Sequence, residues 1–213
     1  MRLCGAKRLT SMAVVLLLLG GCSGNDQSGN GPSESGQIGN GNNDQEEGPI
    51  MGTLTISTDA FETDGPIPAE YTGEGKDVSP ALQFSGVPRG TRSLAIICDD
   101  PDAPSPQPWV HWVIYDIPPD TEDLAEGVPR DAALESPAGA KQGVNSWSSD
   151  NIGYRGPFPP RGGGLHHYHF KLYALDTTLD LPPAKADKDT LLAAMKGHVL
   201  DEAEVVGTYE RKR

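Results

Sequence analysis

The sequence predicts a mainly β domain, a sandwich of short strands with one or two short helices near the C-terminus. Three observations point there. Short runs rich in Val, Ile, Thr, Phe, Tyr and Trp recur through the second and third quarters of the chain. Proline and glycine pairs such as Gly65-Pro66, Ser79-Pro80 and Pro118-Pro119 cut these runs apart, in a chain with 26 Gly and 19 Pro. Only one stretch spaces its apolar residues as a helix does, and no long internal repeat suggests a solenoid or propeller.

Taken in order, the chain starts with a different kind of segment. Arg2, Lys7 and Arg8 precede an unbroken apolar run from Met12 to Leu19. Eight apolar residues are too few to span a bilayer, which needs about 20, and they fit the centre of a secretory signal. The ending Leu19-Gly20-Gly21-Cys22 resembles a bacterial lipobox, so residues 1–22 read as a lipoprotein signal, with Cys22 lipidated and becoming the mature N-terminus. Residues 23–50 carry Gly, Asn, Ser, Gln and Pro, five acids and no Lys or Arg, and cannot bury enough surface to offset the entropy of ordering them. They read as a disordered tether with a reach of about 30 Å. Ser23, rather than Asp, after the lipidated cysteine favours the outer membrane of a two-membrane cell; with one membrane, the outer face of the cell membrane is expected.

The folded domain is expected over 51–213, since every Phe, Trp and Tyr lies from Phe61 onward. Leu54–Thr58 alternates as a strand should; Leu82–Phe84, Ser93–Asp99, Trp109–Ile117 and His167–Leu175 follow. A helix is expected from about Asp187 to Lys196, with Leu191, Leu192, Met195 and Val199 on one face and Gly197 ending it. Gly207-Thr208-Tyr209 reads as a last short strand.

Charge excludes some functions. With 17 Lys+Arg against 30 Asp+Glu the net charge is −13, and loss of residues 1–22 would take it to −16. A nucleic-acid partner, which needs a basic stripe, is not expected, and attachment to an anionic bilayer would need the lipid on Cys22. Once Cys4 leaves with the signal and Cys22 is lipidated, Cys98 is left alone, in a run that reads as a buried strand, so no internal disulfide can form.

Three segments carry unusual chemistry. Asp100 ends the strand that contains Leu94, Ile96 and Cys98 and shares their phase, which aims its carboxylate inward; the alternative is a solvated acidic turn over Asp99–Pro104. His111, in Trp109-Val110-His111-Trp112, alternates in phase with Val113, Tyr115 and Ile117. That is either a satisfied core histidine or a ring held by a nearby carboxylate, with its other nitrogen free for an anion. The loop from Gly153 to Gly164 is rich in Gly and Pro and leads into His166 and Tyr168, which share a core-facing row with Phe170 and Leu172. His167, His169 and Lys171 occupy the opposite, solvated phase.

Together these segments resemble the phosphatidylethanolamine-binding proteins, most nearly their bacterial, Raf-kinase-inhibitor-like branch. The resemblance rests on Asp-Pro-Asp-Ala-Pro at 100–104, Trp-Val-His-Trp at 109–112, Gly-Tyr-Arg-Gly-Pro-Phe-Pro-Pro at 153–160 and His166-x-Tyr168, and extends over about 53–210. It implies a Greek-key β-sandwich of that family's type with a small anion pocket at one end. The ligand-binding residues it implies are Asp100, Asp102, Trp109, His111, Gly156, Pro160, His166 and Tyr168, with Asp102 supporting the turn. Many bacterial members have Cys where this chain has Gly73 and Phe158, and Arg where it has His167. A bridge between those two loops is therefore absent, and Phe158 is expected to reshape the entrance.

The function expected is non-catalytic binding of a small anion or phosphorylated head group, of phosphate or phosphoethanolamine type, by an exported, lipid-anchored protein with no cofactor and no bound metal. The resemblance also implies a second class, inhibition of a protein target, here an exported protease or other hydrolase. A metal-assisted hydrolase is a third, prompted by the Asp and His count. It is weakened because His167 and His169 point away from His166, and because H-E-x-x-H, G-x-S-x-G and P-loop motifs are lacking.

Overall fold

The computed structural model describes residues 53–212. The expectations for 1–22 and 23–50, Cys22 included, lie outside these residues. Nine strands are described: β1 (Thr55–Ser57), β2 (Gly65–Pro66), β3 (Leu82–Ser85), β4 (Ser93–Asp100), β5 (Trp109–Ile117), β6 (Asp123–Leu124), β7 (Lys141–Gln142), β8 (Leu165–Leu175) and β9 (Val199–Glu210). One α-helix, α1 (Lys188–Met195), stands between β8 and β9, and short 3₁₀ turns occupy Ala69–Tyr71 and Pro183–Lys185.

The strands form a small sheet, β1-β3-β6, and a large one, β2-β9-β8-β4-β5-β7. All pairings are antiparallel except β2 with β9. In the large sheet β8 returns to lie beside β4, so the order β8-β4-β5-β7 is that of a Greek key, with β6 of the other sheet on the way from β5 to β7.

Burial explains the sequence pattern of β4, whose eight residues are all buried. One face contributes Leu94, Ile96 and Cys98 to the core between the sheets, where they meet Leu82 and Phe84 of β3. The other contributes Ala95 and Ile97 to a second core with Val113, Tyr115, Leu191 and Met195, beneath α1. A strand covered on both sides reads as a continuous apolar run. Asp99 is the exception on the second face, and it accepts hydrogen bonds from Lys171 Nζ at 3.1 Å and from Lys188 Nζ at the start of α1.

The structure departs from the sequence reading at the C-terminal end. The last strand is no short return over 207–209 but a twelve-residue partner to β8, registered from Leu175↔Val199 to Leu165↔Glu210. Its first half, with Asp201, Glu202 and Glu204, has poor strand propensity, and pairing with β8 overrides it. Val199 accordingly belongs to β9, not to the helix face, and is exposed like Leu192; the buried side chains of α1 are Leu191 and Met195. The helix begins where expected, because the Asp187 side chain accepts the Thr190 N–H at 2.8 Å. Gly197, at φ +83°, follows its end.

Candidate functional site

The ends of β4, β5 and β8 bring the unusual residues together. Alternation along β4 carries Asp100 to the inter-sheet side, as the sequence implied, and the residue is 3% exposed. Its Oδ2 accepts His166 Nδ1–H at 2.8 Å across the end of β8, while its Oδ1 accepts the Asp102 N–H at 2.9 Å and fixes the turn leaving the strand. The buried acid is thus satisfied on both oxygens, which removes the reading of 99–104 as a merely solvated turn.

His111 reaches the same place by a different route from the one its sequence phase suggested. Cys98 pairs with Trp112 and Asp99 with Val110, so one step on β4 corresponds to two on β5 and His111 is the extra residue of a β-bulge. The bulge breaks alternation. Val113 and Tyr115 face α1, whereas His111 turns to the sandwich side and packs edge-on against Tyr168, centroid to centroid 5.0 Å. Its partner is not a carboxylate: Nδ1–H donates to the Arg155 carbonyl at 2.6 Å. Burial holds the His111 pKa down at about 4, against the opposing influence of the Arg155 carbonyl and the Asp100 charge. The ring is therefore neutral at physiological pH, and the carboxylate the sequence sought for it belongs to His166.

Tyr168, 1% exposed, sets its hydroxyl beside the Asp100 carboxylate, with no well-aligned hydrogen bond to any described residue. Burial, then the charge of Asp100, pushes its pKa above the usual phenol value, so the group stays protonated. These residues line a cavity of about 240 Å³ together with Trp109, Trp147, Phe158, Pro160 and the turn Ala103–Ser105.

Two candidates stand elsewhere. Asp102 is not on the cavity wall; its Oδ2 accepts the His167 backbone N–H at 2.9 Å and His167 Nδ1–H at 2.7 Å, tying the turn to β8. Gly156 is also off the wall. Its N–H donates to Asp77 Oδ1 at 2.7 Å, and a Cβ there would lie 2.1 Å from the Tyr71 carbonyl oxygen, so glycine is required for loop packing. His169 pairs with Glu204. The acids and histidines of the region therefore form separate pairs, His166–Asp100, His167–Asp102 and His169–Glu204.

The pocket loop has a rim of its own. The Phe158 ring lies on the bare Cα of Gly73, where a Cβ would come within 2.7 Å of it. The Arg211 guanidinium stacks over the ring, 3.6 Å from its centroid, and Arg211 Nε donates to Glu74 at 2.9 Å. Gly73 and Phe158 are thus in contact without any covalent link.

Sequence reasoning missed Trp147. It stands edge-on to Trp109 at 5.6 Å and to His111 at 4.9 Å, in a loop that Asn145 holds by donating to Asn151 Oδ1 and the Gly153 carbonyl. The one signal available was a large aromatic isolated in a polar segment, Asn145–Asp150.

Both sheets are spent on packing, and the polar groups left over gather where three strands of the larger sheet end; this is a β-sandwich protein with a single-ended, aromatic-walled cavity. The chain belongs to the phosphatidylethanolamine-binding protein family, whose model matches residues 57–210. It is 52% identical over 158 residues to a UPF0098 protein of Methanothermobacter thermautotrophicus, covering 74% of this chain and 99% of that one. Among solved structures, it is similar to a putative phosphatidylethanolamine-binding protein homologue of Chlamydia trachomatis, with TM-score 0.66, 38% identity and coverage of 75% and 99% of the two chains. Escherichia coli YbcL, described as a member of the mammalian family, gives TM-score 0.68, 31% identity and coverage of 74% and 98%.

Proposed function

We propose that this chain is a non-catalytic receptor for a small anionic group of phosphate type, held in the cavity at the ends of β4, β5 and β8. The observation that carries the reading is the Tyr168 hydroxyl, a protonated donor buried at the cavity without a well-aligned partner among the described residues. A buried hydroxyl left alone costs about 1–3 kcal/mol, and a bound oxyanion relieves that cost. The aromatic walls Trp109, Trp147 and Phe158 lower the local dielectric and suit the hydrocarbon or ammonium part of a head group. Cys98 takes no part in the site, since it is fully buried in the core and its thiol pKa is pushed well up by burial.

On this reading the protein works outside the cytoplasm, as a lipoprotein of the bacterial Raf-kinase-inhibitor-like branch held by a lipid on Cys22; the charge, apolar run and terminal cysteine of residues 1–22 support that placement. Binding is tested by titrating inorganic phosphate and phosphoethanolamine while following the imidazole signals of His111 and His166. Shifts of both at millimolar ligand are expected, and their absence at that concentration refutes the receptor. Cys22→Ser should abolish incorporation of radiolabelled fatty acid; continued labelling would remove the anchor.

A further inference from the structure

The two histidines of the cavity have different partners, the Arg155 carbonyl for His111 and the Asp100 carboxylate for His166. The Arg155 carbonyl can only accept, so at 2.6 Å it fixes the His111 proton on Nδ1 and leaves Nε2 with a lone pair. The ring is 2% exposed, and its burial favours this neutral form. The titratable and charged groups around it are Asp99 and Asp100 from β4, His166 and Tyr168 from β8, and Arg155, which is itself turned toward Asp77 at 3.3 Å. Asp100 is already committed to His166 Nδ1 and the Asp102 amide. An incoming group therefore meets the Tyr168 hydroxyl, a donor beside Asp100 with no well-aligned partner among the described residues, next to an acceptor, His111 Nε2.

A fully deprotonated oxyanion has only acceptor oxygens, and against His111 it would set lone pair against lone pair in a hollow walled by Trp109, Trp147 and Phe158. A phosphate monoester in its singly protonated form brings both halves of the match. We propose that the cavity selects a singly protonated phosphate monoester, its P–OH donating to His111 Nε2 and a charged oxygen accepting from Tyr168, over sulfates and over phosphodiesters such as intact phospholipids. This deepens the anion-receptor reading and rests on it.

Calorimetric titration of the purified full chain with methyl phosphate, methyl sulfate and dimethyl phosphate at pH 5.5 and pH 7.5 tests the proposal. Methyl sulfate has the size and single charge of protonated methyl phosphate but no proton to give; dimethyl phosphate stands for the lipid diester. With a second pKa of about 6, methyl phosphate is mostly the monoanion at the lower pH and only a few per cent so at the higher, so its affinity should rise about tenfold or more on acidification. The other two ligands keep one charge throughout, and their own change measures the protein's titration. Methyl phosphate should bind at least tenfold more tightly than either at pH 5.5. A smaller gap overturns the selectivity while leaving the anion receptor standing; no binding by any of the three overturns both. Glycerophosphoethanolamine, a diester whose ammonium could donate to the same nitrogen, should bind as weakly as dimethyl phosphate, and parity with methyl phosphate would overturn the assignment. In the complex, the ¹⁵N shifts of His111 should report an unprotonated, hydrogen-bonded Nε2, and a doubly protonated ring would refute the proposal.

Discussion

Tyr168→Phe separates a binding hydroxyl from a structural one because the two roles predict opposite signs. The substitution deletes one oxygen and leaves the ring, with its edge contact to His111 and its place between the sheets, intact. That oxygen has no well-aligned partner among the described residues, so its removal sacrifices at most a weak contact with Asp100. Relief of an unsatisfied buried hydroxyl should stabilise the variant by about 1 kcal/mol, the low end of the usual 1–3. For a domain of this size that raises Tm by about 2–4 °C. Toward an anion the same oxygen is a neutral donor to a charged acceptor, worth about 1.5–3 kcal/mol, so affinity for phosphate should fall about 10- to 150-fold. Thermal unfolding without ligand and phosphate titration on the same preparation read both quantities. A variant that melts earlier and binds phosphate unchanged would show the hydroxyl to be structural and the reasoning mistaken.

Three further outcomes follow from the described geometry. His111 has a folded pKa of about 4 against an ordinary value of 6.5, so its contribution to stability is complete above pH 6.5 and is lost as pH falls toward 4. The loss amounts to about 3 kcal/mol, and His111→Gln should flatten the change in urea midpoint over that interval relative to the parent. Gly156→Ala forces a Cβ against the Tyr71 carbonyl oxygen and should cost about 3 kcal/mol or more, seen as a large drop in Tm. Arg211→Ala removes the guanidinium from Phe158 and from Glu74; it should change global stability by less than about 1 kcal/mol while speeding amide hydrogen exchange in residues 158–163.

What the sequence shows and hides follows from which forces act locally. β5 has its expected bounds, and β4 exceeds its expected ones by a single residue, because each is walled by apolar packing and closed by Pro-containing turns. Asp100, His166 and Tyr168 were legible because strict alternation holds on β4 and along β8. His111 was assigned to the wrong face because a bulge is a property of two strands and leaves no mark on the periodicity of one. β9 was cut short because its acidic half draws its stability from β8 rather than from its own residues. Trp147 was missed since its loop's position depends on the hydrogen bonds of Asn145 to Asn151 and Gly153, not on apolar spacing. Asp102 and Gly156 lie in motifs that belong to the region, yet they brace the turn and the loop instead of facing the cavity.

The seating of Phe158 on Gly73 has a consequence for the environments in which the mouth keeps its shape. An aromatic ring that touches a bare backbone and a guanidinium is held by packing and charge, with no covalent bond and no electron transfer. The cysteine of the described domain, Cys98, is sealed within the inter-sheet core, away from this contact. Reductants and oxidants that remodel sulfur-bridged loops therefore have no purchase on the entrance. Its shape rests instead on packing and on the Arg211–Glu74 ion pair, which heat and ionic strength weaken.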